Sequence, residues 1–244
     1  MEKLIYTAVS GADLNQTALR ISANNLANVN TAGFKSDLEQ ARSVLVSGQG
    51  FHTRYQAQMM PVSTDMSSGA PMETGRELDV LLGDNAMLSV SDEAGNVAYT
   101  RKGNLSVSAD GVLLANGRPI LNGNAEIVLP EFADIDIAED GSVNVLPVGG
   151  GVTEQVARIN LVSFENAAMV KGTDGLFRTS DGDVLPAQDD LKLKTGFLES
   201  SNVNAVEEMV KTMMIGREFE MNIKMISTAE ELSESGDRLV RGNG

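Results

Sequence analysis

The single histidine, His52, lies in Gly50-Phe51-His52-Thr53-Arg54. A Ser–His–Asp triad needs a His as its general base, so any such hydrolase would have to use this residue. No G-x-S-x-G turn accompanies it anywhere in the chain, and it reads as a surface or packing residue. One His also excludes an H-E-x-x-H zinc helix. With no Cys there is no thiol nucleophile, no disulfide framework and no Cys-based metal site. Phosphate-cradling loops of the G-x-x-x-x-G-K-S/T type are absent, as is a G-x-G-x-x-G following a strand. Carboxylates remain. Glu139-Asp140, Asp181 with Asp183, and Asp189-Asp190 have the residue types of a paired acid and base. All fall at predicted turns, where Asp is favoured for turn geometry alone, and none fits the twelve-residue calcium loop. No catalytic, cofactor-binding or metal-ligating residue is assigned, and no cofactor is expected.

Two other groups of residues point to packing between helices. Asn24, Asn25, Asn28 and Asn30 crowd the segment before Gly33, Phe34 and Lys35. Asn is a mediocre helix former, so such a cluster costs helix stability, and buried Asn between packed helices specifies register and partner. Leu19, Asn24, Asn25, Leu26 and Asn28 are therefore expected at an interface, with Gly33 as a left-handed cap and Phe34 as an anchor. Near the other end Met209, Met213, Met214, Met221 and Met225 lie within one helical stretch. Ordinary core is the bland reading, but flexible thioethers suit a helix that must pack in more than one environment. The expected C-terminal seam is Val206, Met209, Met213, Gly216, Phe219, Ile223 and Ile226.

The elements that carry these residues follow from periodicity. Residues 4–28 place Leu4, Ile5, Ala8, Ala12, Leu14, Ala18, Leu19, Ile21 and Leu26 at steps of three and four, the spacing of an amphipathic helix. Two adjacent seams, 5-8-12-15-19-22-26 and 4-11-14-18-21, imply more than one packing partner. Ser36–Val46 could extend a helix or form a short one, and the stretch to Gly75 reads as an extended linker with strand-like pieces. From about 76 the period changes to two. Val97 and Tyr99, Leu105 and Val107, Ile135 and Ile137, and Val143 and Val145 alternate with polar residues, as half-buried strands do. Gly95-Asn96, Asp110-Gly111, Asn116-Gly117, Asp140-Gly141 and Asp181-Gly182 punctuate them with hairpin chemistry. Helix returns at 203–232, opened by an Asn204-to-Glu207 capping box.

This gives a fold of three parts. Residues 1–35 and 200–244 form a discontinuous helical terminal domain in which two amphipathic helices pair in a coiled-coil-like manner. Residues 36–75 are linker, and 76–199 are an all-β central domain, antiparallel and sandwich- or barrel-like, inserted between the helices. At 244 residues the chain is long enough for one large or two modest domains. Its net charge of −15 argues against nucleic-acid binding, which needs a basic footprint, and against attachment to an anionic membrane. The charge is uneven: 76–195 holds 9 basic and 19 acidic residues, about −10 of the total. The middle reads as a solvated body and the ends as contact regions. No apolar run spans a membrane, and Met1 to Thr7 does not look like a cleaved signal peptide.

Ser22–Lys35 resembles the N-terminal signature of the flagellar basal-body rod and hook family, in which Asn-Asn-Leu-Ala-Asn-x-x-Thr-x-Gly-Phe/Tyr-Lys/Arg ends the first helix. Gly196 to Asn204, with Glu208-Met209 and Arg217 to Glu220, is similar to the family's second signature. Tyr99 to Leu105 resembles its Thr-Arg-x-Gly strand connection. Ile5-Tyr6-Thr7-Ala8 and Arg76 to Val80 look most like the proximal-rod branch, with the distal rod a close alternative. The resemblance implies a non-enzymatic subunit that leaves the cell through the flagellar type III export apparatus without a cleaved signal. It further implies polymerisation with itself and other rod subunits into the axial shaft crossing the periplasm, with helices inside and the β domain outside.

Two rivals come from other classes. A secreted β-rich carbohydrate-active enzyme would use the turn carboxylates, but the chain has no Trp and few aromatics to stack sugars. A ligand-binding or adhesin module would keep its terminal helices folded in a stable monomer.

Overall fold

The computed structural model describes residues 2–45, 55–60, 62–123 and 125–241; His52 lies outside them. Two compact units emerge, one from residues 1–29, 37–65 and 203–244, the other from 30–36 and 66–202.

The first unit is built on two helices, α1 (Glu2–Ala27) and α2 (Ala205–Arg241). Helix α1 ends where the sequence places its stop, in a turn whose Asn28 amide donates back to the Asn24 and Asn25 carbonyls. Helix α2 opens on Asn204, whose Oδ1 accepts from the Val206 and Glu207 amides, satisfying donors that a helix start leaves orphaned. The two helices pack along each other. On α1 the buried side is small and partly polar: Ala8, Ala12, Ala18, Ile21, Ser22 and Asn25. Leu14, Leu19 and Leu26 flank it half-buried. Small side chains let the backbones approach, and a Cβ added at Gly11 would lie 3.2 Å from the Asn222 amide.

The segment between the helices contributes strands here. Asp37–Leu38 pairs with Ser63–Thr64, and Ala41–Leu45 with Tyr55–Met59, both antiparallel. No helix forms over 36–45, so the helical option for that stretch gives way to pairing. Ala41 to Leu45 instead pair residue by residue with Met59 to Tyr55. Strand Tyr55–Met59 lies against α1, so α1 meets two partners, as its two seams require.

The second unit is strand-rich and antiparallel throughout its described ladders. Its largest sheet orders Leu161–Ser163, Ala86–Ser91, Val97–Thr100, Phe177–Thr179 and Met169–Lys171. A three-stranded sheet joins Phe132–Ile137, Ser142–Pro147 and Glu154–Arg158. The core gathers Leu88, Val90, Leu105, Leu113, Ile120, Ile137 and Val143, all at most 2% exposed. A second cluster holds Met87, Tyr99, Val162 and Phe177. Each glycine of the five expected turns has φ between +79° and +84°, the left-handed backbone those hairpins demand.

Candidate assembly site

Among the described residues, the first unit shows which side of α2 is packed and which is exposed. Toward α1 the helix presents Glu208, Thr212, Ile215, Phe219, Asn222, Ile226 and Ala229, a strict four-three alternation. Ile215 and Ala229 are buried, and the others are half-buried. The contact is pinned by polar pairs. Across it Ser22 Oγ lies 2.7 Å from Thr212 Oγ1 and 3.4 Å from the Glu208 carbonyl oxygen, while Lys211 Nζ lies 3.5 Å from Glu39 Oε1, beyond the end of α1.

The expected C-terminal seam divides between this side and the opposite one. Phe219 and Ile226 are half-buried. Val206, Met209, Met213 and Ile223 are 70, 52, 61 and 46% exposed. Met214, Met221 and Met225 are exposed with them. The helix pair uses the side of α2 whose small and hydroxyl groups permit close approach. Val206, Met209, Val210, Met213 and Met214 form an exposed apolar patch on the first turns of α2, and beyond it the exposed Arg217, Glu220 and Lys224 share that side with Met221 and Met225.

The asparagines have distinct positions. Asn25 is 2% exposed; its Nδ2 donates to the Asp37 carbonyl and its Oδ1 accepts from the Asp37 amide, both at 2.9 Å. This two-pronged bond fixes strand Asp37–Leu38 on α1. Asn28 Nδ2 donates to the Asn24 carbonyl at 2.9 Å, closing the helix end, and Asn24 itself is exposed. Leu19 and Leu26 are half-buried in the same unit.

Gly33 and Phe34 belong to the second unit. Gly33 has φ +68°, and an added Cβ would run into the Arg101 carbonyl, so both conformation and space exclude other residues. Its amide donates to the Glu199 carbonyl at 2.8 Å. Phe34 is 7% exposed, with Lys171 Nζ 4.0 Å from its ring centre, a cation–π distance.

Beside them is a cluster that residue spacing does not reveal. Lys35, Arg101 and Glu199 are all at most 3% exposed. Glu199 Oε1 accepts from Lys35 Nζ at 2.6 Å and the Gly69 amide at 2.7 Å. Its Oε2 accepts from Arg101 Nε and Nη2 at 2.9 and 2.6 Å. Burial pushes the Glu199 carboxyl up, but the Arg101 charge and the Lys35 and Gly69 hydrogen bonds outweigh it and hold it below its ordinary value. Arg101 further donates to the Gly83 and Ala86 carbonyls, and Lys35 to Ser67. Each residue lies inside one of the three quoted signature segments, yet spacings in sequence carry no sign that the segments meet.

Two of the turn carboxylates have structural partners. Asp140 accepts from the Ser142 amide and hydroxyl at 3.0 and 2.9 Å, and Asp189 pairs with Arg158 at 2.7 Å. Asp92 caps its own turn through the Ala94 and Asn96 amides and pairs with Arg178. A cleft of about 720 Å³ includes Tyr99, Glu126 and Arg178 in its lining, but that guanidinium is held by Asp92 and Asp174. Among the described residues no group of His, Asp or Glu gathers to hold a metal. No helix among them is long and apolar enough to cross a membrane.

Comparison with known proteins gives this arrangement a family. Residues 5–35 match the model described as "Flagella basal body rod protein", and 83–145 that of the "Flagellar hook protein FlgE/F/G D1 domain". Residues 194–239 match "Flagellar basal body rod FlgEFG protein C-terminal". The chain is 36% identical over 250 residues to flagellar basal-body rod protein FlgF of Escherichia coli K12, covering 98% of this chain and 99% of that protein. Identity to FlgF of Salmonella typhimurium is 35% over the same shares. The FlgG rod protein of Agrobacterium fabrum is 30% identical over 95% of this chain and 97% of its own. Matched at both helical ends and through the strand-rich body between them, the chain belongs to the flagellar basal-body rod family.

Proposed function

We propose that this chain is a structural subunit of the bacterial flagellar rod, on the FlgF-like proximal side. It assembles through the exposed face of its terminal helices into the shaft that carries torque from motor to hook. The observation that carries this reading is the apolar surface of α2 at Val206, Met209, Val210, Met213 and Met214, left outside the helix pair at 47–70% exposure. A face of this kind asks for a further helix, and head-to-tail contacts that do not close build a filament. The acidic body keeps free subunits apart until they are placed. Identities of 36% and 35% to two FlgF proteins over nearly the whole of both chains support the FlgF-like reading. The subunit works without catalysis or cofactor; its partners are copies of itself, other rod subunits and the export apparatus, and its place is the basal body across the periplasm.

The test is a strain lacking this chain. Swimming should be lost and restored by the chain in trans, and mass spectrometry of purified basal bodies should find the chain in the rod fraction. Complete, rotating flagella without it would overturn the reading.

A further inference from the structure

The chain concentrates its reactive sulfur at one place. It has 12 Met, no Cys and no Trp, so thioethers are the groups a two-electron oxidant meets first. Five of the twelve lie on α2, and all five are exposed: Met209, Met213, Met214, Met221 and Met225, between 45 and 61%. At 100° per residue they centre on the side of α2 opposite Thr212, Ile215, Asn222 and Ala229, the side turned to α1. Met87, in contrast, is wholly buried in the second unit, and Met72 is 47% exposed there. Helix α2 has no Tyr or His to compete for oxidant.

We infer that the methionine face of α2 is a modification site: peroxide-class oxidants convert it to sulfoxide and thereby switch off the assembly surface. In each step a thioether lone pair attacks a peroxide oxygen. The S–O bond forms as the O–O bond breaks, the departing hydroxide takes the proton of the new S–OH group to become water and leaves the neutral sulfoxide, and sulfur is oxidised by two electrons while peroxide is reduced. The product side chain is polar and chiral. Sulfoxides at 209, 213 and 214 hydrate the apolar patch those residues form with Val206 and Val210, those at 221 and 225 add polarity beside the exposed Arg217, Glu220 and Lys224, and a partner helix loses what it would bury. A dithiol-dependent sulfoxide reductase reverses the change, oxidising two thiols to a disulfide and releasing water. Free subunits are sensitive because the face is open; assembled subunits are shielded because it is covered. This consequence rests on the proposed rod assembly.

The experiment treats the full chain with graded hydrogen peroxide, maps sulfoxides by peptide mass spectrometry, and follows self-association by sedimentation over a concentration series. A five-fold Met→Leu variant at 209, 213, 214, 221 and 225 is run beside it. The α2 methionines and Met72 should oxidise together while Met87 stays intact. The oxidised chain should need at least tenfold higher concentration to associate, with helix content retained and association restored by methionine sulfoxide reductase. The association of the Leu variant, wherever its own midpoint lies, should not shift on peroxide treatment. Sparing of the α2 methionines at a dose that converts Met72, or equal association before and after oxidation, overturns the inference. Failure of the untreated chain to associate at any concentration overturns the assembly reading and the switch drawn from it, while the sulfoxide map still decides whether the site exists.

Discussion

Glu199 and Arg101, 98 residues apart in sequence, share a doubled charge-assisted hydrogen bond in the core of the strand-rich unit. Lys35 completes the set from the other oxygen. Two buried cations then depend on one carboxylate. Removing a partner from a buried ion pair costs far more than the pair contributes, because a desolvated charge is left behind.

Glu199→Gln should therefore lower unfolding stability by about 3–5 kcal/mol, read from urea denaturation. The exposed pair of Arg118 and Glu93, the latter 85% exposed, gives the contrast: Glu93→Gln should change stability by less than about 1 kcal/mol.

Acid should act through the same carboxylate. Its folded-state pKa lies below the ordinary 4.5, so the unfolded chain takes up the proton first. The stabilisation is fully present above pH 4.5 and is lost as pH falls through the folded value. Asp92, held by Arg178 and the Asn96 and Ala94 amides, is lowered from 3.8 to about 2, and its share goes over that lower interval. Thermal midpoints of the native chain should hold from pH 7 to about 5 and then fall steeply toward 2. In Glu199→Gln that fall should be shallower.

Two glycines should respond in opposite directions to alanine. The Gly103 carbonyl accepts from the Val80 amide, and an added Cβ would collide with the Val80 carbonyl; Gly103→Ala should destabilise by about 1–3 kcal/mol, the usual cost of overpacking. Gly216 sits inside α2 with nothing within 4 Å of a built Cβ, so Gly216→Ala should stabilise by up to about 1 kcal/mol. Calorimetry of the two variants checks both signs.

Periodicity and turn chemistry made the large elements legible in the sequence. Local rules govern them: the 3.6-residue seams of α1, the period-two strands around Ile135 and Val143, and the Asx-Gly turns all depend on near neighbours. Long-range juxtapositions are another matter. Nothing in the spacing says that Lys35, Arg101 and Glu199 share a site, or that Ser22 meets Thr212. The packed side of α2 is chosen by close approach at Gly11 and Ser22, which a count of hydrophobic residues does not weigh. For the same reason Ala41–Leu45 reads as helix or linker and Tyr55–Met59 as linker, since the two strands are stabilised by pairing with each other and the second by α1.

Asn25 should matter more than its neighbours to the free chain. Asn25→Ala removes both bonds to the Asp37 backbone and leaves buried groups unsatisfied, a loss of about 1–3 kcal/mol. Asn24→Ala, at an exposed site, should stay within about 0.5 kcal/mol. Hydrogen exchange at Asp37 and Leu38 should rise in the Asn25 variant and stay unchanged in the Asn24 one.

The most direct test of the assembly account uses the absence of native Cys. Met213→Cys places one thiol on the exposed face of α2, and Val184→Cys places one on the body, where Val184 is 61% exposed. Each is labelled with a maleimide as free chain and in purified basal bodies. Both thiols should react in the free chain, and in basal bodies Met213→Cys should be protected while Val184→Cys still reacts. Equal labelling of Met213→Cys in both states would contradict assembly through this face.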